Sequence, residues 1–157
     1  MSSALIQEAL DERLKLFSWS DPDTGEQVSA ALAKNIAWSG VKFSSNPEVS
    51  WLRATLLETA PMTKYIGGSV LFTARGFYEI QCRRPERFGQ YAARSLADAV
   101  AAHFFPTSGA RLYLNARNTL IVQIEEQPAI DLIGVGADGG FIATAVRVRY
   151  FAQVPRA

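Results

Sequence analysis

Residues 70–105 read VLFTARGFYEIQCRRPERFGQYAARSLADAVAAHFF, and this stretch decides the fold class. Residues 70–83 alternate with a period of two, which is typical of a β-strand, whereas residues 86–105 repeat apolar side chains at helical spacing. Pro85 separates the two patterns. A long strand followed by an alanine-rich helix predicts a helix packed across an antiparallel sheet.

The flanking residues predict the remaining elements. A first helix starts at Ser2 or Ser3 and ends near Phe17, because residues 18–25 have the composition of a turn. Strands are predicted at residues 36–43, 49–58, 70–83, 112–114, 119–126, 129–135 and 141–153, with a turn at residues 115–118. Residues 28–33 fit either a loop or a helical turn. The predicted order is α-β-β-β-α-β-β-β, an α+β sandwich in which an antiparallel sheet carries both helices on one face.

The faces of the two longest elements follow from their periods. On the strand at residues 70–83, the even-numbered residues share one side and the odd-numbered residues the other. The stripe of the second helix expected to face the sheet consists of Phe88, Tyr91, Ala92, Ser95, Leu96, Ala99, Val100, His103 and Phe104. Residues 134–140, GVGADGG, have the composition of a tight hairpin loop.

The chain of 157 residues is expected to form one domain, residues 1–157, around a single core. Residues 59–69, TAPMTKYIGGS, show no period and contain a proline and a pair of glycines, which predicts a mobile loop. Long loops inside compact domains tend to be functional. We therefore expect a contact role for this segment.

Composition excludes several classes of protein. Sixteen basic and fifteen acidic residues give a net charge of +1, which argues against a dedicated nucleic-acid binder. Cys82 is the only cysteine, so neither an internal disulfide nor a cysteine-based zinc site is expected. The N-terminal residues lack the pattern of a signal peptide, and no apolar run approaches the roughly 20 residues of a membrane span. The expected compartment is a reducing cytosol, or a particle assembled there.

Residues that could carry catalysis or bind a cofactor are scattered. His103 is the only histidine, and its place on an alanine-rich helix favours a packing role. Glu125 and Glu126 are adjacent in a predicted strand, so their carboxylates face opposite sides. The glycines at 134–140 precede a strand and not a helix, which argues against a phosphate-binding loop. No catalytic, cofactor-binding or metal-binding residues are predicted, and the protein is not expected to be an enzyme.

Aromatic and charged residues alternate on the outer side of the predicted sheet. The set consists of Arg75, Phe77, Glu79, Phe141, Arg147, Arg149 and Phe151. A solvated sheet face would explain the charges alone, but arginine interleaved with aromatic residues is typical of protein–protein interfaces. We predict that this set forms an interface with another copy of the chain or with a partner.

Three segments of the sequence resemble one known family. These are the leading helix IQEALDERL, the run NIAWSGVKFSSNPEVSWLRATLL and the run RGFYEIQCRRPERFGQYAARSLADAVAAHFF. Together they resemble the tail terminator (tail-completion) proteins of long-tailed bacteriophages, and the similarity extends over residues 6–151. Relatives often carry an acidic residue and an asparagine after the tryptophan that corresponds to Trp38, so no role is transferred to Ser39.

The resemblance implies a structural role without chemistry. Such proteins have an α/β sandwich fold and form a hexameric ring on the end of the tail tube. The ring stops polymerisation of the tube and docks to the neck, or head-completion, protein. The implied location is the virion, at the head–tail junction, after assembly in the host cytoplasm.

The resemblance also suggests roles for particular residues. The resemblance implies that the outer set of seven residues forms the interface between subunits of the ring. It implies no contact with a membrane. Met62, Lys64 and Tyr65 become contacts to the major tail tube protein, which would order the loop. Arg75, Arg147 and Arg149 would face either a neighbouring subunit or DNA passing through the lumen, and the sequence does not choose between these.

Two other functions remain open from the sequence. The first is a neck or head-completion protein that joins the connector to the tail. The second is a small-ligand or enzyme domain that uses the open sheet face as a pocket. The second would need a cluster of convergent polar groups, which one histidine and scattered carboxylates do not supply.

Overall fold

The computed structural model describes residues 2–29, 35–41, 43–44, 48–58, 62–66, 69–105, 112–116, 120–136 and 140–155. The two helices are α1 (Ser2–Lys15) and α2 (Gly89–Phe104), and a 3₁₀ turn at Glu86–Phe88 precedes α2. The strands are β1 (Ser18–Ser20), β2 (Gln27–Ser29), β3 (Ile36–Ala37), β4 (Trp51–Glu58), β5 (Met62–Ile66), β6 (Ser69–Pro85), β7 (Leu112–Ala116), β8 (Leu120–Ile124), β9 (Ala129–Gly136) and β10 (Phe141–Pro155).

A long antiparallel pair, β6 and β10, forms the centre of the main sheet. Its register runs from Phe141 opposite Pro85 to Pro155 opposite Leu71. Strands β4 and β5 follow one another along the far side of β6, and β9 and β8 do the same along the far side of β10. The order across the sheet is β3-β4-β6-β10-β8-β7, and the sheet curls into a half-barrel.

The predicted α+β class, with two helices on one sheet face, is confirmed. A single cluster of buried side chains joins both helices to the inner face of the sheet, where Tyr78, Ile80 and Cys82 are at most 1% exposed. These three residues are even-numbered, as the alternation of residues 70–83 predicts. The odd-numbered residues of β6 therefore face away from the helices.

The predicted inner stripe of α2 is partly wrong. The buried residues of the helix are Ala93, Leu96, Ala97, Val100, Ala101 and Phe104. Tyr91, predicted to face the sheet, is 83% exposed. Alanine is common on every side of this helix, so the apolar pattern alone does not fix its rotation. Alanine at the centre of the contact lets the helix approach the sheet closely, which places Ala93, Ala97 and Ala101 inside.

The prediction of a loop without regular structure at residues 59–69 is wrong over Met62–Ile66. This segment is strand β5, which pairs antiparallel with β6. Ile66 pairs with Ser69, so only Gly67 and Gly68 separate the paired strands, and a glycine pair is a typical signal for a two-residue hairpin. Residues 59–61, 67 and 68 lie outside the described residues, and the predicted mobility of the segment stays a prediction.

The main sheet is mostly antiparallel, as predicted, but it contains one parallel pair of strands that the sequence did not predict. The predicted strand at residues 36–43 is restricted to β3, which runs parallel to β4, with Ile36 opposite Leu52. Adjacent parallel strands require a crossover connection, which residues 38–50 provide. Residues 18–20 and 27–29, on either side of the predicted turn, form the separate hairpin β1–β2.

A buried arginine ties this hairpin to the end of the main sheet. Arg84 is 0% exposed and forms an ion pair with Asp21. Its guanidinium carbon lies 5.1 Å from the ring centroid of Trp19 and 4.6 Å from that of Phe88. Nη1 of Arg84 donates to the carbonyl oxygen of Ala92 at 2.7 Å. One side chain therefore connects the β1–β2 hairpin, β6 and α2.

Candidate functional site on the outer face of the sheet

Six of the seven residues predicted on the outer face form three cross-strand pairs. Arg75 lies opposite Phe151, Phe77 opposite Arg149, and Glu79 opposite Arg147. Directly opposed residues on antiparallel strands share a face and interact through their side chains. The pairing of β6 with β10 therefore brings together residues that are about 70 positions apart in the sequence.

The rings of Phe77 and Phe151 on this face each have a guanidinium above them. The guanidinium carbon of Arg75 lies 5.3 Å from the ring centroid of Phe151, and that of Arg149 lies 5.8 Å from the centroid of Phe77. Both distances are within the range of cation–π attraction. The two pairs give this face a mixed apolar and cationic character.

Ion pairs within the chain balance two of these arginines. Arg147 contacts Glu79 and Asp131, both at 3.1 Å, and Arg149 contacts Glu126 at 3.2 Å. Because the arginine side chains are 44% and 64% exposed, each pair is expected to contribute only about 0–1 kcal/mol to folding. Their main effect is to orient the guanidinium groups and to reduce the net positive charge of the face.

A groove of about 640 Å³ opens between β6, β10 and the residues around β8. Its lining consists of Arg75, Gly76, Phe77, Gln123, Glu125, Glu126, Arg149, Tyr150 and Phe151. The polar groups of this lining are carboxylates, guanidinium groups, the Gln123 amide and the Tyr150 hydroxyl, and burial raises the pKa of Tyr150 to about 12. Such a lining suits contact with another protein surface better than acid–base catalysis.

Sequence reasoning missed three exposed apolar residues of the same face. Leu57 lies opposite Phe77, and Tyr113 lies opposite Gln123, which in turn lies opposite Phe151. Leu57, Tyr113 and Ile121 are 45%, 54% and 48% exposed. The alternation of residues within a strand predicts on which face of the sheet each side chain lies. Only the order of the strands shows that Leu57, Tyr113 and Ile121 lie near Phe77 and Phe151. We call Leu57, Arg75, Phe77, Tyr113, Arg149 and Phe151 the outer band.

The prediction that Phe141 is exposed on the outer face is wrong. Its side chain is 1% exposed, and its ring centroid lies 6.2 Å from that of Trp51. Phe43, from the crossover connection between β3 and β4, stacks on Trp51 at 5.0 Å. Because Phe43 packs against this end of the outer face, Phe141 is part of a small buried cluster with Ala37 and Trp51.

The three residues predicted to contact the tail tube all lie on β5. Met62 lies opposite Thr73, Lys64 opposite Leu71, and Tyr65 opposite Val70. Their side chains are outside the part of the chain that the structure describes. The backbone register nevertheless places all three on a hairpin next to the end of β6.

The remaining titratable groups have packing roles. Nε2 of His103 lies 2.7 Å from the carbonyl oxygen of Arg13, and Nη2 of Arg13 donates to the carbonyl oxygen of His103 at 2.7 Å. Burial lowers the pKa of His103, so the neutral ring donates this bond and joins α1 to α2. Burial also raises the pKa of Cys82, which keeps its thiol protonated and unreactive.

Two further features bear on function. Among the described residues, no cluster of three or more metal-ligating side chains occurs. No helix in the described part of the chain is long and apolar enough to cross a membrane. The fold and the outer band together define a small α+β protein whose exposed chemistry is that of a protein-contact surface.

The comparison with protein families identifies the class more closely. The model of the phage tail terminator protein family matches residues 6–150, and the chain belongs to this family. It is therefore a structural, non-enzymatic component of the phage tail, found in the virion and associated with the tail tube. The resemblance that the sequence motifs suggested is confirmed.

The structural comparison agrees with this fold. A solved structure without a descriptive name superposes with a TM-score of 0.66 and 21% sequence identity, covering 100% of this chain and 99% of that chain. At this identity the likeness concerns the fold alone. A search of curated proteins finds no match to the chain.

Proposed function

We propose that the protein forms a closed ring on the finished end of the tail tube. The ring ends tube polymerisation and offers its other side to the neck, or head-completion, protein. Family membership supports the position on the tail. The observation that carries the ring is the outer band, an exposed face on which two guanidinium–phenylalanine pairs lie beside Leu57 and Tyr113.

The ring interface consists of Arg75, Phe77, Glu79, Arg147, Arg149 and Phe151, extended by Leu57 and Tyr113. A ring requires a heterologous contact in which one surface of a subunit meets a different surface of the next. Aromatic rings and arginines supply most of the binding energy in such contacts. A hexamer would repeat this contact around the tube axis.

The second contact of the proposed ring is with the major tail tube protein. We assign it to the hairpin β5–β6, with Met62, Lys64 and Tyr65 as the contacting residues. A hairpin at the end of the long central strand pair can reach beyond the body of the subunit.

The charge balance of the outer face bears on whether it lines a DNA-conducting lumen. Arg147 and Arg149 already pair with Glu79, Asp131 and Glu126. A surface that binds DNA phosphates usually has unbalanced positive charge. We therefore assign these arginines to the contact between subunits, and any contact with DNA in the lumen is passive.

The neck-protein alternative is not favoured, because the family match is to tail terminators. An assay with growing tail tubes separates the two functions. Purified tube protein polymerises in the presence and absence of this chain, and tube lengths are measured by electron microscopy. The proposal predicts shorter tubes with a density on one end. Tubes of unchanged length with bare ends would contradict it.

A further inference from the structure

Two arginines flank one tryptophan at an end of the outer face. Trp51 and Arg53 lie on the same side of β4, and Trp51 is directly opposite Arg83 on β6. The guanidinium carbons of Arg53 and Arg83 lie 5.3 Å and 5.1 Å from the ring centroid of Trp51. Burial and, after it, the positive charge of Arg53 lower the pKa of Arg83, so the two like charges are near enough to repel each other. We call Trp51, Arg53 and Arg83 the cationic cluster.

The cationic cluster is rich in hydrogen-bond donors. Trp51 is 3% exposed, and its Nε1 has no acceptor among the described residues. A buried N–H group without an acceptor destabilises a fold, so its presence requires an explanation. The neighbouring acceptor, Oε1 of Gln81, already accepts a hydrogen bond from Nη2 of Arg83 at 2.9 Å. An excess of donors beside positive charges favours the binding of an anion.

The charge of Arg53 also differs from that of the other arginines nearby. Arg147 and Arg149 pair with carboxylates of the same chain. Arg53 is exposed, and within the described ranges no acidic side chain forms an ion pair with it. In its row across the sheet, Gln81 and Ala145 separate it from Asp131. The described part of the chain therefore leaves the charge of Arg53 unbalanced.

A pocket of about 240 Å³ adjoins Arg53 at the edge of β4. Residues 37–41 and 43 line it on one side, and residues 53–55 line it on the other. Val41 is 62% exposed, and Trp38 and Phe43 are half-buried, so much of the wall is apolar. The volume is smaller than the roughly 300–1,000 Å³ of most small-molecule sites. It suits one apolar side chain of a partner.

The surroundings favour a carboxylate over the phosphates of a nucleic acid. Glu79 and Asp131 lie on the same face of the sheet and would repel a row of phosphates. A single carboxylate matches the parallel N–H groups of one guanidinium, which can bind both of its oxygens. The adjoining apolar wall then fits a side chain next to that carboxylate in a protein segment.

We propose that Arg53 binds a carboxylate of a partner protein whose neighbouring apolar side chain enters the pocket beside β4. Arg83 and the N–H group of Trp51 stabilise the bound negative charge at longer range. The partner segment therefore carries an aspartate or glutamate next to an apolar residue. The site lies outside the outer band and the β5–β6 hairpin, so it is independent of the proposed ring contact and leaves the partner to be a different protein.

Fluorine NMR of the full chain labelled with 5-fluorotryptophan tests the site. The three tryptophans give three signals, and Trp51→Phe identifies the signal of Trp51. The probes are the peptide acetyl-Leu-Glu-Leu-amide and its counterpart with glutamine in place of glutamate. We expect a saturable shift of the Trp51 signal at about millimolar glutamate peptide, and binding at least about tenfold weaker for the glutamine peptide. An unmoved signal, or equal affinity for both peptides, would overturn the site.

Substitution of Arg53 tests its role directly. Arg53→Gln should weaken binding of the glutamate peptide at least about tenfold, with an unchanged denaturation midpoint, because the side chain is exposed. Arg94→Gln is the matched control, since Arg94 lies on α2 and pairs with Asp98. It should bind the peptide like the natural chain. Equal affinities of the two variants would contradict the assignment to Arg53.

Two further measurements separate other sources of the anion. Inorganic phosphate and a short DNA duplex should shift the Trp51 signal only at higher concentrations than the glutamate peptide does. Tighter binding of either would overturn the choice of a protein carboxylate. Arg53→Gln should also have the same mass in solution as the natural chain. A lower mass would place a second copy of this chain at the site and overturn the assignment to a different protein.

Discussion

Arg84 shows how much a single residue can determine in this fold. Its sequence context, between a strand and a proline, indicates nothing about burial. The structure surrounds the guanidinium with Asp21, the rings of Trp19 and Phe88, and the carbonyl of Ala92. Trp19 and Asp21 belong to the β1–β2 hairpin, about 60 residues before Arg84 in the sequence. Only the tertiary fold therefore reveals this cluster.

Replacement of Arg84 should therefore be costly. Arg84→Met leaves the carboxylate of Asp21 buried without its cation, and we expect a loss of about 3 kcal/mol in the free energy of unfolding. Urea denaturation measures this loss. Arg87→Met is the control, because Arg87 pairs with Glu48 on the surface and is 51% exposed, so its loss should be below about 1 kcal/mol. Equal stabilities of the two variants would contradict the account.

The same ion pair makes stability depend on acid pH. The hydrogen bond from Arg84 lowers the pKa of Asp21 to about 2, from an ordinary value of 3.8. The stabilisation is complete above the ordinary value and is lost as the pH falls towards the lowered one. Burial raises the pKa of Asp11, which acts in the opposite direction. Asp21→Asn should therefore lose less stability than the natural chain between about pH 4 and pH 2. Parallel losses in both proteins would show that Asp21 is not responsible.

Gly76 is a second residue whose importance only the structure reveals. A Cβ at this position would lie 2.6 Å from the hydroxyl oxygen of Tyr150 and closer still to the carbonyl oxygen of Leu57. Gly76→Ala should reduce the free energy of unfolding by about 1–3 kcal/mol. Gly134→Ala is the control, since its Cβ would meet nothing within 4 Å. Similar denaturation midpoints for both variants would contradict the close packing around Gly76.

At the scale of elements, periodicity in the sequence was informative only where it was long. Residues 70–83 and 141–153 were recognised as strands because alternation extends over many residues, and the structure extends both. Strand β5 has only five residues, and an alternation this short does not distinguish a strand from a loop. The parallel pairing of β3 and the burial of Phe141 depend on contacts between distant segments, which local patterns do not encode.

The hairpin β5–β6 is the element we assign to the tail tube. The triple variant Met62→Thr, Lys64→Thr, Tyr65→Thr keeps residues that favour strands and removes the proposed contact chemistry. It should fold and form rings like the natural chain but fail to shorten growing tubes. Light scattering measures the rings, and electron microscopy measures tube length. Tubes shortened as effectively by the variant would remove the hairpin from the tube contact.

At the scale of the whole molecule, the sequence predicts the kinds of residue on the outer face of the sheet but not how many strands contribute to it. The sequence located six of its residues, because two strands alternate arginine with aromatic residues. It missed Leu57, Tyr113 and Ile121, which reach the same face only through the strand order β4-β6-β10-β8-β7. The contact surface is therefore wider than a single pair of strands.

Charge introduced on this face should prevent assembly without unfolding the subunit. Phe77→Asp and Arg149→Glu each disrupt one guanidinium–phenylalanine pair, and we expect each to weaken ring formation at least about tenfold. Circular dichroism checks that the fold is retained, and Arg94→Glu, on the exposed side of α2, is the control. Normal rings from both outer-face variants would exclude this face from the subunit interface.

The central claim is that the chain closes into a ring, and its mass in solution tests this most directly. Sedimentation over a range of concentrations, with and without tail tubes, measures the mass of the free and the tube-bound protein. The account predicts one closed species of about six subunits, free or on tube ends, with no larger open series. A monomer at every concentration that also leaves tube ends bare would contradict it.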